Sequence, residues 1–370
     1  MKIRCSFEKF TPMFTLISSF VSSRSDRQLL MNVKLIADEK NILLLASGDD
    51  NASARGEIEV GEDIVVEKPG EVILPTQIIK RLLNVAGASE FTLETEGKRL
   101  NVSGQEFSYQ LDTLEPEDFP VAENFEETAY HKIAASDFRE LVRRTAFATA
   151  VGEFGGQFAL DGVLIELLED RAVAVATDGR RLANYERPAE AVGGHKVEGT
   201  AVFPTKLLNL LDRVCADQED VKIAVKENRV LVQSGSVVVG ASLVDGSYPK
   251  WRDIMPNKSE MKKIDFLVGQ IASAVSKAEI VTTDQKPGVN FAFKPGKCIV
   301  SGVGLEIGES QVEMNIAFDD CADIRLASKY LTDLFKRLDS NETLSFYLNS
   351  ETIALFETAD GYSYIVMPLK

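Results

Sequence analysis

The sequence predicts an α+β protein in which one domain, built from two helices packed on antiparallel sheets, occurs three times in tandem. Two observations lead to this prediction. Residue patterns recur along the 370-residue chain at a spacing of about 129 residues, and a fixed spacing indicates a repeated unit. The strand-like segments come in short hairpins that no helix separates, which favours antiparallel sheets.

The repeat is clearest between the first two copies. Pro75-Thr76 and Pro204-Thr205 each open a helical pattern, and Asp49 and Asp178 each lie in a polar turn; the two members of each pair are 129 residues apart. The third copy is fainter. It is indicated by Phe10, Phe138 and Phe266, which are spaced by 128 residues and each lie in a helical pattern, and by a last helical pattern that opens near residue 326.

These repeats predict three domains, at 1–122, 128–250 and 251–370. The first join, Glu115–Glu127, carries six acidic residues and no basic one, which predicts a solvated linker. The second join, 248–256, contains Trp251, the only tryptophan of the chain. Its aromatic and apolar content predicts a linker that packs on the protein.

Each copy is predicted to run helix, strands, helix, strands. Ser136 is a candidate N-cap for the third helix, and Pro204 suits the first turn of the fourth, where its missing N–H costs nothing. The six helices are predicted at 7–22, 75–86, 136–150, 204–215, 264–278 and 327–338. In the second copy, strands are predicted at 160–166, 172–177, 182–185, 221–225, 230–233 and 237–243.

Composition excludes several classes of protein. A net charge of −16 argues against a protein held on nucleic acid by a basic surface. Four irregularly spaced cysteines are typical of a reduced, cytoplasmic protein, and two histidines are too few for a multi-histidine zinc site, so no metal is expected. No apolar run is long enough to span a membrane, and we expect neither a signal peptide nor membrane contact.

The charge is unevenly distributed. The six predicted helices together carry about +6, whereas the remainder of the chain carries about −22. Exposed helix faces could account for this alone, but the recurrence in successive copies favours a shared basic surface. Such a surface would bind phosphates without reading base sequence, and salt would weaken the binding.

Catalytic and cofactor motifs are not found in the sequence. There is no P-loop, and the glycines at Gly302 and Gly304 lack the strand-to-helix context of a dinucleotide site. Asp161 and Asp178 could form a general acid–base pair, which leaves an α+β hydrolase as an alternative. Each precedes a glycine, however, and Asp-Gly is typical of turns. No cofactor is predicted.

Three segments resemble a known family: Val175–Ala183, Tyr248–Pro256 and the C-terminal Tyr364–Lys370. In this order and spacing they are similar to the bacterial DNA polymerase III beta subunits, the replicative sliding clamps. The resemblance implies a DNA-clamp fold, in which two subunits joined head to tail form a six-domain ring around duplex DNA. It implies no active site. The implied task is to tether the replicative DNA polymerase for processivity, after an ATP-driven clamp loader has placed the ring.

The resemblance also implies a peptide-binding cleft between domains 2 and 3. There the DNA polymerase III catalytic subunit, the clamp loader, other DNA polymerases and mismatch-repair proteins would dock through short linear motifs. Arg181 and backbone groups would orient the peptide, and apolar walls would bury its Leu or Phe. The implied cleft residues are Leu160, Thr177, Gly179, Arg180, Arg181, Leu182, Pro249, Ile254, Tyr330, Ile365, Val366, Met367, Pro368 and Leu369. Leu182 and Ile365 could instead be core residues, but a solvated chain end would gain nothing from so apolar a sequence.

Two further sets of residues follow from the resemblance. The implied DNA contacts, independent of base sequence, are Arg24, Lys80, Arg81, Arg143, Lys206 and Lys336. The implied interface of the homodimer pairs Tyr109 and Leu111 of one subunit with Ile280 and Val281 of the other.

The chain departs from the family pattern at three places. Asp253 and Thr205 stand where basic residues are common, and the segment 24–30 lacks the usual proline-containing turn. These departures affect the expected cleft charge and DNA contacts. A peptide-binding scaffold that forms no ring remains a further alternative.

Overall fold

A computed structural model describes residues 1–22, 24–48, 52–85, 89–152, 158–283, 285–349 and 353–369. The chain divides into two compact units. The first comprises Met1–Phe138, Ala189–Glu198 and Lys206–Leu243, and the second comprises Arg139–Pro188, Gly199–Thr205 and Val244–Lys370. The predicted turn at Asp49 lies outside the described residues.

The first copy begins with a strand that runs directly into a helix. Its elements are β1 (Lys2–Ser6), α1 (Phe7–Ile17), a 3-10 turn (Gln28–Met31), β2 (Val33–Ala37), β3 (Asn41–Ser47), β4 (Ser53–Glu59), β5 (Ile64–Lys68), β6 (Gly70–Leu74), α2 (Thr76–Val85), β7 (Glu90–Glu96), β8 (Arg99–Gly104) and β9 (Ser108–Asp112). In α1, Phe10, Phe14 and Ile17 fall on one face and are buried, as expected for an amphipathic helix.

The second copy repeats this order. Its elements are β10 (Tyr130–Ala134), α3 (Ala135–Thr145), a 3-10 turn (Ala146–Ala148), β11 (Gly162–Leu167), β12 (Arg171–Thr177), β13 (Arg181–Pro188), β14 (Glu190–Val192), β15 (Val202–Pro204), α4 (Thr205–Val214), β16 (Asp220–Lys226), β17 (Arg229–Ser234) and β18 (Val237–Ser242). Because α3 already begins at Ala135, the predicted N-cap Ser136 lies inside the helix, and that prediction is wrong.

The third copy has the same order with one strand fewer. Its elements are β19 (Lys262–Leu267), α5 (Val268–Ala278), a 3-10 turn (Glu279–Val281), β20 (Val289–Lys294), β21 (Lys297–Gly304), β22 (Gly308–Asn315), β23 (Ala322–Leu326), α6 (Ser328–Phe335), β24 (Thr343–Asn349), β25 (Ile353–Thr358) and β26 (Ser363–Val366). The threefold repeat of one α+β unit is therefore confirmed.

The predicted helix 264–278 is wrong over its first four residues. Ile264 and Phe266 are buried while Asp265 and Leu267 are exposed, and this period of two is that of a strand. Phe266 thus lies in β19, and the helical counterpart of Phe10 and Phe138 is the buried Ile271 of α5.

All pairings between named strands are antiparallel, as predicted. The first unit contains a five-stranded sheet, β5-β1-β7-β8-β9, and a nine-stranded sheet, β14-β10-β16-β17-β18-β4-β3-β2-β6. The second unit contains an eight-stranded sheet, β15-β11-β12-β13-β26-β25-β24-β19, and a four-stranded sheet, β22-β21-β20-β23.

Two of these sheets run across the boundaries between copies. In the first unit, β18 of the second copy pairs with β4 of the first, where Val239 faces Ala54. In the second unit, β26 of the third copy pairs with β13 of the second, where Tyr364 faces Ala183. We call these contacts the first and the second junction. They explain why each compact unit contains parts of two copies, and the domain boundaries at 122, 128 and 250 stay predictions.

The joins between copies are both anchored by packing. Phe119 and Ala122 of the acidic first join are buried against Leu45 and Ile73, so the prediction of a wholly solvated linker is wrong. Trp251 of the second join is buried in an apolar cluster, as predicted. Among the described helices, none has the length and apolarity needed to cross a membrane.

Candidate functional site

The site begins at a tight turn between β12 and β13. The Asp178 Oδ1 atom accepts hydrogen bonds from the backbone N–H groups of Arg180 (2.9 Å) and Arg181 (3.0 Å). Thr177 Oγ1 donates to the Arg181 carbonyl (2.6 Å) and accepts from the Gly179 N–H (3.1 Å). Gly179 has a φ of 83°, which disfavours any other residue. The turn is therefore rigid and holds the exposed Arg180 outward.

The same geometry bears on the hydrolase alternative. The second oxygen of Asp178 accepts from Arg181 Nε at 3.0 Å, so both oxygens are used in holding the turn. Asp161 lies in a separate exposed turn before β11, where its backbone carbonyl accepts a hydrogen bond from Thr205. Both aspartates thus have the turn role that their Asp-Gly sequences favour.

Arg181 is buried, at 7% exposure, and ties three segments together. Its Nη1 donates to Asp333 of α6 (2.8 Å) and its Nη2 to the carbonyl of Phe147 (2.8 Å), while the guanidinium lies 4.6 Å from the ring of Tyr330. Burial opposes the charge, but the Tyr364 hydroxyl and the carboxylates of Asp333 and Asp178 raise the pKa of Arg181 above its ordinary value. Arg181 therefore remains charged and positions the wall of the site.

An apolar cluster forms the floor beside this turn. Leu182 and Ile365 are fully buried in it, together with Val175 and Trp251. Tyr248 packs against the cluster and donates its hydroxyl to the Val175 carbonyl at 2.9 Å. Burial raises the pKa of the Tyr248 hydroxyl, which therefore stays a neutral donor. Leu182 and Ile365 are thus core residues that lie under the predicted cleft.

The C-terminal segment is a strand followed by a short, partly exposed tail. Ile365 and Val366 lie in β26 between β13 and β25, so their apolar character is explained by burial in a sheet. The argument from the sequence against a core role for Ile365 is therefore wrong. Beyond the strand, the Met367 N–H donates to the Arg180 carbonyl (2.9 Å) and the Leu369 N–H to the Arg325 carbonyl (2.8 Å). The tail is thereby held against the turn, with the Met367 side chain 52% exposed.

The remaining predicted cleft residues differ in accessibility. Leu160, Pro249, Tyr330 and Pro368 are half-buried, as is Leu369. Ile254 is exposed, at the end of the 3-10 turn that also carries the exposed Asp253.

All the predicted cleft residues lie in the second unit, and three residues there were missed by the sequence analysis. Phe158 is an exposed aromatic residue whose backbone bridges to Ser247, and Val175 and Tyr248 build the floor. The residues of β12 from Ala172 to Thr177 are all buried, and this short apolar run could have pointed to Val175 as a core residue. Nothing local in the sequence distinguishes the exposed Phe158 from a core phenylalanine.

The predicted DNA contacts have different surroundings. In the first unit, Arg24, Arg81 and Lys206 are exposed, whereas the half-buried Lys80 donates its Nζ to the Ser18 carbonyl (3.1 Å). Burial lowers the pKa of Lys80.

In the second unit, Lys336 is exposed at the end of α6. Arg143 is also exposed and forms an ion pair with Glu140 (2.8 Å) on the same helix. Lys80 and Arg143 are therefore less available to a phosphate than the sequence suggested.

The predicted interface residues lie on a sheet-edge strand and in the turn that follows a helix. Tyr109 is exposed and Leu111 half-buried on β9, the edge strand of the five-stranded sheet. Ile280 is 76% exposed and Val281 half-buried in the turn after α5. Val303, Leu305 and Ile307 on the β21–β22 hairpin are also exposed and were not predicted.

A metal centre is not supported where the structure can be described. Within those residues, no group of three or more His, Cys, Asp or Glu side chains is arranged to hold an ion. The two histidines are buried against each other, with 2.7 Å between the Nδ1 atoms of His131 and His195.

Comparison with known proteins accounts for this combination of repeat, turn and tail. Residues 1–123 match the family described as the DNA polymerase III beta subunit, N-terminal domain, and residues 132–250 match its central domain. The beta sliding clamp of Pseudomonas putida is 25% identical over 368 residues, which cover 96% of each chain. That of Staphylococcus aureus is 25% identical over 363 residues, which cover 95% of this chain and 94% of the relative.

Solved structures share the fold over the whole chain. A sliding clamp from Pseudomonas aeruginosa bound to griselimycin superposes with a TM-score of 0.91 at 23% identity, covering 100% of this chain and 99% of that one. The two family matches together span about two thirds of the residues. The chain therefore belongs to the DNA polymerase III beta subunit family, the bacterial sliding clamps.

Proposed function

We propose that this protein is a DNA sliding clamp, a homodimeric ring that encircles duplex DNA and tethers the replicative DNA polymerase. It is a non-catalytic processivity factor. The observation that carries the proposal is the family match over the first two copies, joined to a third copy of the same topology. Asp161 and Asp178 each lie in a turn, and both carboxylate oxygens of Asp178 hold that turn together, so neither residue supports the hydrolase alternative.

The dimer is supported by the strand pairing inside the chain. The third strand after the first helix of copy one, β4, pairs with β18, the last strand of copy two. The corresponding strands of the next two copies, β13 and β26, pair in the same way. The counterpart of β4 and β13 in copy three is β22, and the counterpart of β18 and β26 in copy one is β9. In the described sheets each of these two strands lies at an edge, with a strand partner on one side. Because the two edges differ, two copies would join head to tail through two identical contacts and close a ring.

The DNA contacts are proposed to come from the helices. As observed, the six helices carry a net charge of about +5 in a chain of −16. Exposed cations such as Arg81 and Lys206 suit contacts with phosphate that do not read base sequence. A ring is held by topology, so it needs only weak attraction and can slide.

The partner site is proposed at the turn, floor and tail described above. Exposed apolar side chains at Ile254, Phe158 and Met367 would contact the apolar side chains of a short linear motif. The proposed partners are the DNA polymerase III catalytic subunit, the clamp loader, other DNA polymerases and mismatch-repair proteins. These partners place the protein in the cytoplasm, without membrane contact.

Retention on circular DNA tests the ring. The protein is loaded on a nicked circular plasmid with a clamp loader, the complex is isolated by gel filtration, and half is cut once with a restriction enzyme. We expect co-elution with the circle and release from the linear form, because a sliding ring leaves at an end. Equal retention on both forms would contradict the ring and favour the non-ring scaffold or ordinary affinity.

Removal of the tail tests the cleft. Deleting Met367–Lys370 is expected to abolish binding of a fluorescent polymerase-derived peptide in an anisotropy titration, with the dimer intact in sedimentation. The single variant Met367→Ala is expected to weaken peptide binding. The matched control is Val121→Ala, at an exposed apolar residue outside the site. Unchanged affinity after the deletion would make the cleft assignment wrong.

A further inference from the structure

The tenth residue of the first helix in each copy differs among the three copies. It is Leu16 in α1, Arg144 in α3 and Lys277 in α5. These residues are equivalent because each helix follows directly on the first strand of its copy. Only one of the three, Arg144, is buried. The surroundings of Arg144 therefore show which contacts this helix position can make where the strands of two copies are paired.

At the second junction, Arg144 reaches the hairpin of the next copy. Its Nη1 lies 3.2 Å from Asp360, in the loop between β25 and β26. Its guanidinium carbon lies 4.9 Å from the ring centre of Tyr185 on β13 and 5.5 Å from that of Tyr362. The junction thus pairs a cation on the first helix of one copy with an anion at the last hairpin of the following copy.

The equivalent hairpin of copy one ends in an acidic residue too. The loop between β8 and β9 is closed by a hydrogen bond from the Gly104 N–H to the Phe107 carbonyl (3.0 Å), and its tip is Gln105-Glu106. Glu106 and Lys277 are both exposed, and within the described part of the chain neither has an ion-pair partner. The two open edges, β9 and β22, therefore each carry one half of the arrangement seen at the second junction.

The strand register expected for a contact between the open edges of β22 and β9 follows from the registers of the two observed junctions. Ala54 faces Val239 at the first junction, and Ala183 faces Tyr364 at the second. Counting along the paired strands, the counterparts on the open edges are Ser310 on β22 and Tyr109 on β9.

The turn after the first helix gives the same answer. At the second junction the ring of Phe147 lies 5.7 Å from that of Tyr364. The counterpart of Phe147 is Ile280, and the counterpart of Tyr364 is Tyr109. The internal repeat thus places the exposed Ile280 of one copy against Tyr109 of a second copy, without reference to any relative.

We propose that Lys277 of one copy forms an ion pair with Glu106 of a second copy, beside an antiparallel β22–β9 contact in which Ser310 faces Tyr109. The proposal rests on the homodimer of the proposed function and specifies how the dimer is held. One exposed pair would replace the buried cluster of the second junction, so the contact between subunits is weaker and more sensitive to salt than that junction. Phe107 of the second copy, the counterpart of Tyr362, would lie under the Lys277 ammonium.

A charge swap tests the pair. Lys277→Glu and Glu106→Lys each place like charges together and are expected to raise the dimer dissociation constant about tenfold at low salt. The double variant restores opposite charges and is expected to return to within about threefold of the wild-type constant. Sedimentation velocity over a dilution series gives the constants. Lys294→Glu, an exposed charge change at the end of β20, opposite the first residue of β21 and far from the β21–β22 hairpin, is the matched control.

The outcomes separate this proposal from the one on which it rests. Single variants with the dimer dissociation constant of the wild type would overturn the ion pair but not the ring. A double variant that dimerises as weakly as the single variants would do the same. A wild-type protein that stays monomeric at micromolar concentration would overturn the ring itself. Circular dichroism melting of each variant shows that any loss of dimer is not a loss of fold.

Discussion

The two junctions inside the chain share one backbone arrangement but are filled differently. At the first, Leu16 faces a groove of about 1040 Å³ bordered by Ser19, Ser234 and Ser236. At the second, Arg144 takes the position of Leu16, and the tip of the hairpin, which carries Gly235 and Ser236 at the first junction, carries Asp360. The strand pairing is thus the repeated feature, while the side chains beside it set how strongly each junction is held.

Helix packing explains part of the difference. Tyr185, which stacks beside Arg144, has Gly56 as its counterpart on β4. A Cβ atom at Gly56 would meet Met13 of α1 and lie 2.8 Å from the Cγ1 atom of Ile17. The first junction therefore brings α1 close to the sheet and leaves no room for an aromatic ring at this position. The second junction uses that ring to cover a buried charge.

The second junction depends on a network around one arginine. Arg144 contacts Glu140 (3.0 Å), Asp360 (3.2 Å) and Glu342 (3.8 Å). Asp360 also accepts from the Tyr185 hydroxyl (2.6 Å). Such a network is costly to bury and costly to break. Loss of Arg144 would leave Glu342 without its cation, although Arg187 would still pair with Asp360 (2.9 Å) and Arg143 with Glu140 (2.8 Å).

The largest predicted effect is therefore at Arg144. Replacement by Met keeps much of the volume but removes the cation that Glu342 faces (3.8 Å) and leaves Asp360 with Arg187 (2.9 Å) as its ion-pair partner among the described residues. We expect a loss of about 3 kcal/mol in the second unit, the lower end for breaking a buried ion pair. Hydrogen exchange of the β26 amides measures it locally, which avoids assuming that the two units unfold together. Leu16→Met is the matched control and should cost less than about 1.5 kcal/mol. Equal losses at the two positions would contradict the contrast between the junctions.

A smaller effect is expected from filling the groove of the first junction. Leu16→Phe adds apolar volume beside Leu83 and Val214 without adding a charge. Cavity-filling substitutions commonly add about 0.5–2 kcal/mol, and we expect the lower end because the groove is open to solvent. The measurement is slower exchange of the β18 amides that pair with β4. Faster exchange would show that the added ring strains the junction.

The sequence predicted the repeat but not the contents of the junctions. Proline-started helices and Asp-Gly turns are local patterns, so their recurrence revealed three copies of one α+β unit. The third copy was misread at Phe266 because its first helix starts 133 residues after that of the second copy, whereas the second follows the first by 128. A strand of alternating burial therefore stood where the constant spacing predicted a helix.

The candidate site shows the same limit. The motif around Asp178 is local, and its turn geometry could be predicted. Arg143 and Arg144 are adjacent on one helix, and nothing near them indicates that only Arg144 is buried. Arg144 is the buried one because it pairs with Asp360, which lies 216 residues further along the chain. Likewise, the burial of Ile365 follows from its pairing with Leu182 across the second junction.

The smallest predicted effect is a difference between the units in their response to acid. In the first unit, the buried ring of His195 lies against Val225 and His131. Its Nε2 is 3.2 Å from the Val225 backbone nitrogen and 3.4 Å from the Val225 carbonyl oxygen, and its Nδ1 is 2.7 Å from that of His131. Burial lowers the pKa of His195 and outweighs the hydrogen bond with Val225 and the attraction of Glu127, which both raise it; the repulsion of Lys226 lowers it further. The unfolded chain therefore binds the proton more readily, and the first unit loses stability as the pH falls below about 6.5.

The second unit is expected to respond in the opposite direction. Burial raises the pKa of Glu342, so its folded form favours the proton, and the stability that follows is present at low pH and lost as the pH rises through the raised pKa. Exchange of β16 amides should therefore quicken between pH 7 and pH 5.5, while that of β24 amides, corrected for intrinsic rates, should not. His195→Gln should flatten the response of the first unit. If both units weaken in parallel on acidification, titration of His195 is not the cause.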